Sequence, residues 1–185
     1  MARKETITRK MIVDGAFELL REQGAYYVTA RKLAAQIGCS TQPIFRIFNG
    51  MEALDRELFI KAREHFEDSY TDVEKIYDIP FVDLGLAYIN YAKKETNLFK
   101  LLFLSKLEED QTMYDLLNGG SKGFVIHEIK RIPNLDPNSV GTIFMKIFTF
   151  IHGMACMATS GEFDLTEDEV VEMLQDAYHA FTEQA

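Results

Sequence analysis

Cysteine is scarce: Cys39 and Cys156 are the two in 185 residues, far apart and in unlike contexts. That excludes a disulfide scaffold and a thiolate zinc site. Long apolar runs are missing too. The greasiest stretch, 143–158, is interrupted by Lys146, His152 and Gly153. It falls short of the roughly 20 residues a membrane span needs. The start, Met1-Ala2-Arg3-Lys4-Glu5-Thr6, has no apolar signal core, so a soluble cytoplasmic protein is expected. Strand alternation is almost absent, as are repeats, low-complexity tracts and long linkers. The histidines, His65, His127, His152 and His179, form no HExxH pair. No Cys-x-x-Cys, nucleophile elbow or glycine-rich phosphate loop appears. Neither an enzyme nor a bound metal or cofactor is expected.

Positive charge is in deficit, 20 Lys and Arg against 29 Asp and Glu, for a net of −9. Taken whole, that argues against a nucleic-acid binder. The deficit is uneven, however. Residues 1–50 carry 8 basic and 4 acidic side chains, net +4, and residues 51–185 carry 12 and 25, net −13. A basic head on an acidic body points to an anionic partner for the head alone.

Hydrophobic residues make up 47% of the chain, too many for disorder and enough for a sizeable core. Their spacing is helical nearly throughout, and about nine helices are expected. The first covers 5–23, with Ile12, Ala16, Leu19 and Leu20 on one stripe and Gly24 as its stop. Thr29 is a plausible N-cap for 30–37, Gly38 breaks that helix, and another spans 41–48 before the Asn49-Gly50 turn. A long helix follows over 51–76, then others over 80–95, 97–105 and 110–131. Gly119-Gly120 marks a kink or break in the last of these. Asp136-Pro137 suits the start of a helix reaching 158, and Thr166 with Glu169 forms a capping box for 167–183. The fold class is all-α.

The informative stretch is 30–48, ARKLAAQIGCSTQPIFRIF. A helix-turn-helix needs a small residue where its helices cross, and Ala34 supplies it. It needs a residue tolerant of left-handed backbone four positions later, and Gly38 supplies that. Leu33, Ile37, Cys39, Ile44 and Ile47 then pin the helices together. Ser40 is placed to cap the second helix, and Pro43 falls in its first turn. Thr41, Gln42 and Arg46 are left facing outward, as base-edge and phosphate readers are. Arg3, Lys4, Arg9, Lys10, Arg31, Lys32 and Arg46 supply local positive charge. The alternative is an ordinary helical hairpin, and the local positive charge favours DNA reading over it.

Residues 7–59 resemble the DNA-binding head of the TetR (tetracycline-repressor-like) transcriptional regulators. The resemblance rests on Glu22-Gln23-Gly24, the Thr29 helix start and Leu33-Ala34 … Ile37-Gly38-Cys39-Ser40. It continues through Phe45-x-x-Phe48 and Glu52-Ala53-Leu54. It implies a DNA-binding domain over 1–50 and an effector-binding and dimerisation domain over 51–185. The implied DNA contacts are Lys10, Thr29, Arg31, Ser40, Thr41, Gln42, Pro43, Phe45 and Arg46. Two positions depart from the family pattern. Phe45 stands where the family usually has Tyr, and Met51 where it usually has Lys, which removes one phosphate donor and one cation.

Over the body the resemblance extends only to helix count and layout. The helix around 138–158 is apolar on nearly every side and must be covered on every side. Its cover is either a partner subunit or the rest of a monomer. The resemblance implies the former, a two-fold four-helix interface with the last helix through Phe150, Met154, Met157, Met173, Ala177 and Phe181. Aromatics crowd the middle helices, which reads as core or as the wall of an effector pocket. The pocket candidates are Tyr88, Tyr91, Phe103, Phe144, Phe148 and His152. Asn90, Lys93 and Lys94 read as the solvated face of the same helix. The expectation is a homodimeric repressor of a palindromic DNA operator, responsive to a small apolar or amphipathic effector. The alternatives are a helical protein-interaction adaptor or a small-molecule carrier with a degenerate head.

Overall fold

Ten α-helices form among the described residues, several of them opened by a capping side chain. The computed structural model describes residues 7–71, 73–105, 112–161 and 163–182; Arg3 and Lys4 lie outside them. The helix α1 (Arg9–Gln23) starts where the Thr8 hydroxyl accepts from Met11 N, later than the sequence pattern implies. The Thr29 hydroxyl accepts from Lys32 N and opens α2 (Ala30–Gln36). The next helix is α3 (Gln42–Phe48), closed by Asn49 in the left-handed region at φ 48°. Its N-cap is Thr41 rather than Ser40, and Thr41 makes no side-chain capping bond.

The helix α4 (Met51–Thr71) ends five residues short of the expected 51–76 span. The Asp83 carboxylate accepts from Ile76 N at 3.1 Å and Tyr77 N at 3.3 Å. The Arg131 guanidinium donates to the carbonyls of Tyr77 and Asp78. Those backbone groups are therefore lost to a helical ladder. After this loop come α5 (Val82–Lys94), starting two residues past Pro80, and α6 (Thr96–Phe103).

The helix expected over 110–131 is two short ones, α7 (Met113–Asn118) and α8 (Phe124–Ile129), with a 3₁₀ turn at Gly120–Lys122 between them. Gly119, Gly120 and Gly123 all adopt positive φ (63°, 55° and 70°), which breaks the helix outright. Asp136 accepts from Asn138 N and forms a turn instead of a cap, so α9 (Val140–Ser160) starts at Ser139. At 21 residues, with an 18-residue window of mean hydropathy 1.5, α9 is long and apolar enough to cross a membrane, contrary to the shorter estimate from sequence. Its inner face is nevertheless buried protein: Ile143, Phe144, Ile147, Ile151, Met154 and Ala155. The last helix, α10 (Glu167–Thr182), carries the capping box: Thr166 N donates to Glu169 at 2.8 Å, and Glu169 N to the Thr166 hydroxyl.

The chain groups into two compact units, Met1–His65 with Asn97–Lys106, and Phe66–Thr96 with Leu107–Ala185. The division falls inside α4, whereas the 50/51 position marks only the Asn49-Gly50 turn before that helix. In the first unit Ile12, Leu19 and Leu20 of α1 are buried, with Leu33, Ile44, Phe48, Leu54, Leu58 and, from α6, Leu98 and Leu102. Asn97 of α6 donates to Arg21 O at 2.8 Å and so caps a carbonyl at the end of α1. In the second unit α5 packs on α9 and α10, and Gly85 permits the approach. A Cβ there would stand 3.0 Å from Ile151 Cδ1 and 3.2 Å from Leu174 Cδ1.

Candidate nucleic-acid interface and cavity

Between α2 and α3 the backbone turns through Gly38 at φ 71°, and Cys39 N donates to Ala34 O at 2.9 Å. Leu33 and Ala34 on one side, and Ile44 and Phe48 on the other, are buried, while Ile37, Cys39 and Ile47 are half-buried. Three- and four-residue spacing then forces Gln42, Phe45 and Arg46 outward, and all three are exposed. Ser40 and Arg31 are also exposed, and Thr41 and Pro43 half-buried. Thr29 is exposed but its hydroxyl is engaged in capping α2. The helix-turn-helix thus presents a polar face that includes one half-exposed aromatic ring.

Two basic residues of the head are engaged by acidic partners. Arg9 is bound by Glu57, donates to Ile47 O at 3.4 Å and lies 4.4 Å over the Phe48 ring. It joins α1 to α3 and α4. Lys10 is exposed but pairs with Asp14, which Lys61 also binds. Hydrogen bonds from Lys10, then Lys61, hold the Asp14 carboxyl below its usual range. That contribution is fully present above the unfolded pKa near 4 and is lost as pH falls through the lower folded value. Asp14→Asn is accordingly expected to flatten the acid limb of stability against pH below about pH 4, which a denaturation series would show. Because Asp14 is part-exposed, the effect is small.

Sequence reasoning passed over Tyr26 and Tyr27. They stack edge to face at 5.5 Å beside α2, and Tyr26 is 89% exposed. The Lys32 ammonium sits 3.7 Å from the Tyr27 ring. Two consecutive aromatics at a glycine-led turn were the available signal.

The second unit contains a half-open cavity of about 40 Å³, lined by Tyr70, Phe81, Leu84, Gly85, Tyr88, Leu117, Val125, Phe144, Ile147, Phe148 and Ile151. That is room for a water molecule or two, so a larger ligand would have to move an aromatic wall. Of the expected pocket residues, Tyr88, Phe144 and Phe148 line it. His152 lies behind them, its Nδ1 3.0 Å from Tyr88 Oη. Tyr91 does not line it; its ring packs 5.0 Å from Phe66. Phe103 belongs to the other unit, where it packs on Phe99 one helical turn away. Burial pushes the Tyr88 phenol far above its ordinary range and lowers His152, so both stay neutral near pH 7.

Apolar groups also remain uncovered on α9 and α10. Met145, Met157 and Met173 are exposed, and Gly141, Thr142, Met145, Lys146, Thr149, Phe150 and Phe181 line an open groove. Phe150 and Phe181 meet edge to face at 6.5 Å, and Ala177 is half-buried. Met154 is corrected: it is 5% exposed, because positions 147, 151 and 154 share the inward stripe of α9.

Known proteins resemble this chain in sequence and in shape. No family model matches it. It is 25% identical over 108 residues to the uncharacterized HTH-type transcriptional regulator YobS of Bacillus subtilis (strain 168). That match covers 57% of this chain and 56% of YobS, so the chain spans about half the length of that relative. The crystal structure of SCO4313, described as a regulatory protein, superposes with a TM-score of 0.67 at 16% identity, covering 93% of this chain and 95% of that one. A TetR-like transcriptional regulator from Rhodococcus sp. RHA1 superposes with a TM-score of 0.62 at 12% identity, covering 95% and 96%. The described residues therefore have an all-α fold like that of TetR-like regulators.

Proposed function

We propose that this chain, folded as TetR-like regulators are, is a DNA-binding transcriptional repressor. The observation that carries the reading is the helix-turn-helix whose α3 is buried through Ile44 and Phe48 and exposes Gln42, Phe45 and Arg46. In this reading α3 enters the major groove, Gln42 and Arg46 reach base edges or phosphates, and Arg31 meets the backbone. Lys10 exchanges Asp14 for a phosphate. The uncovered groove of α9 and α10 is closed by a second copy, giving a cytoplasmic homodimer on a palindromic operator. Its two α3 helices then face half-sites about one DNA turn, ~34 Å, apart. A small apolar or amphipathic effector enters among Tyr88, Phe144 and Phe148. Because α4 contributes to both units, it carries the change between cavity and head, and effector and DNA compete through a population shift.

Selection of bound duplexes from a random library by the purified protein tests this at low and physiological salt. An enriched palindrome is the expected result. No enrichment at either salt overturns the reading in favour of an adaptor or carrier. A second expectation follows from Met51, at the start of α4. Met51→Lys adds a cation there and should steepen the slope of log K against log salt by about 0.9. An unchanged slope would remove Met51 from the phosphate surface.

A further inference from the structure

We propose that Cys156 is a covalent reaction site for apolar α,β-unsaturated carbonyl compounds, with His152 as its base. The two residues lie one turn apart on α9, and Cys156 Sγ stands 3.5 Å from His152 Nε2. The other ring nitrogen, Nδ1, is 3.0 Å from Tyr88 Oη on α5. Nucleophile, base and a third group that orients the base are thus in hydrogen-bond sequence. With the imidazole proton on Nδ1 and donated to Tyr88, the Nε2 lone pair faces the thiol. Cys156 is half-buried, and the pair lies on the flank of α9 turned toward α5 rather than toward the Phe150–Phe181 groove.

Burial raises the Cys156 thiol, so without help it would stay protonated at neutral pH. Burial lowers His152, which leaves Nε2 unprotonated near pH 7 but a weaker base, so the proton moves as the C–S bond forms rather than before it. The apolar preference comes from the rings alongside. Phe148 packs 5.2 Å from the His152 ring, and Phe148 and Tyr88 also wall the cavity. Cys39 makes an internal comparison: its Sγ donates to Ser40 O at 3.1 Å, a carbonyl that cannot serve as a base.

The step balances without an oxidant or a leaving group. The thiol proton passes to His152 Nε2 as sulfur forms a C–S bond to the β-carbon. The alkene pair moves to the α-carbon and carbonyl oxygen as an enolate. The imidazolium then returns the proton to the α-carbon, leaving a thioether and neutral His152. The proposal rests on the TetR-like regulator reading only in making such compounds effectors.

The full-length protein is treated with trans-cinnamaldehyde and, separately, N-ethylmaleimide, and adducts are followed by intact-mass and peptide-mass spectrometry. Near pH 7 Cys156 is expected to react at least about tenfold faster than Cys39. His152→Gln is expected to slow Cys156 by about tenfold near pH 7 but hardly near pH 10, where solvent supplies the thiolate. Convergence at high pH also shows that the variant keeps Cys156 in place. Cys39 reacting first, or His152→Gln matching the parent near pH 7, or equal slowing at both pH values, overturns the proposal. Mass is read without DNA, so failure of the operator selection and failure of the adduct are separate results.

Discussion

Glu128→Ala lowers the stability of the second unit by about 3 kcal/mol. Glu128 is 1% exposed, yet three groups converge on its carboxylate. Lys75 and Arg131 form ion pairs with it, and Phe81 N donates at 2.7 Å. Alanine leaves a buried N–H unpaired, which costs about 1–3 kcal/mol alone, and strands two cations. Those cations are part-exposed, Lys75 at 48% and Arg131 at 30%, so water recovers some of the loss. The figure therefore sits at the low end of the range for broken buried pairs. Urea denaturation followed by circular dichroism measures it, and a change under about 0.5 kcal/mol would show that the network is ornamental. Glu128→Gln should lie between the two, because an amide retains hydrogen bonds but not charge. There is a local consequence as well. Phe81 holds φ 67°, costly for a residue with a Cβ, and its ring is part of the cavity wall. Without Glu128 nothing fixes its N–H, so the cavity should admit larger apolar dyes than it does in the parent.

Glu128 also shows where the sequence stopped being informative. Beside His127 it reads as one more acidic side chain on a helix surface, since its partners Lys75 and Phe81 are 53 and 47 positions away. The loop after α4 was equally illegible: the apolar stripe continues past Thr71, but Asp83 and Arg131 hold the backbone of residues 76–78 from distant positions. Features governed by local chemistry were legible. The caps at Thr29 and Thr166, the turn at Gly38 and the inward and outward faces of α3 all follow from residues within a few positions of one another. The helix break at Gly119-Gly120 was legible as a possibility, and three positive φ angles decided it. That Phe103 falls in the first unit was not legible, because an aromatic stripe reports burial without reporting which core does the burying. That Met154 lies on the buried stripe was not legible, because an all-apolar helix such as α9 gives no contrast from which to read its inner face.

Gly15 supports the second large prediction. It lies in the middle of α1, where glycine costs about 1 kcal/mol relative to alanine, so something must require it. A Cβ at this position would overlap Ile37 Cγ2 and stand 3.3 Å from Leu33 Cδ1. Both residues are on the α2 side of the helix-turn-helix, and Leu33 is fully buried. Gly15→Leu must push α2 away from α1, and overpacking of this kind costs about 1–3 kcal/mol before any loss of contact elsewhere. The displaced element is the one that positions α3, and a shift of about 1 Å at base edges removes bidentate contacts worth about 1–3 kcal/mol each. In the proposed dimer both heads carry the change, so binding to the selected duplex should fall by at least about a hundredfold. Gly15→Ala separates the two terms, since the helix gains about 1 kcal/mol while Ile37, half-buried, has some freedom to move. It should fold with near-parental stability and bind DNA measurably more weakly. Duplex affinity unchanged in Gly15→Leu would mean that the spacing of α1 and α2 does not govern how α3 is presented.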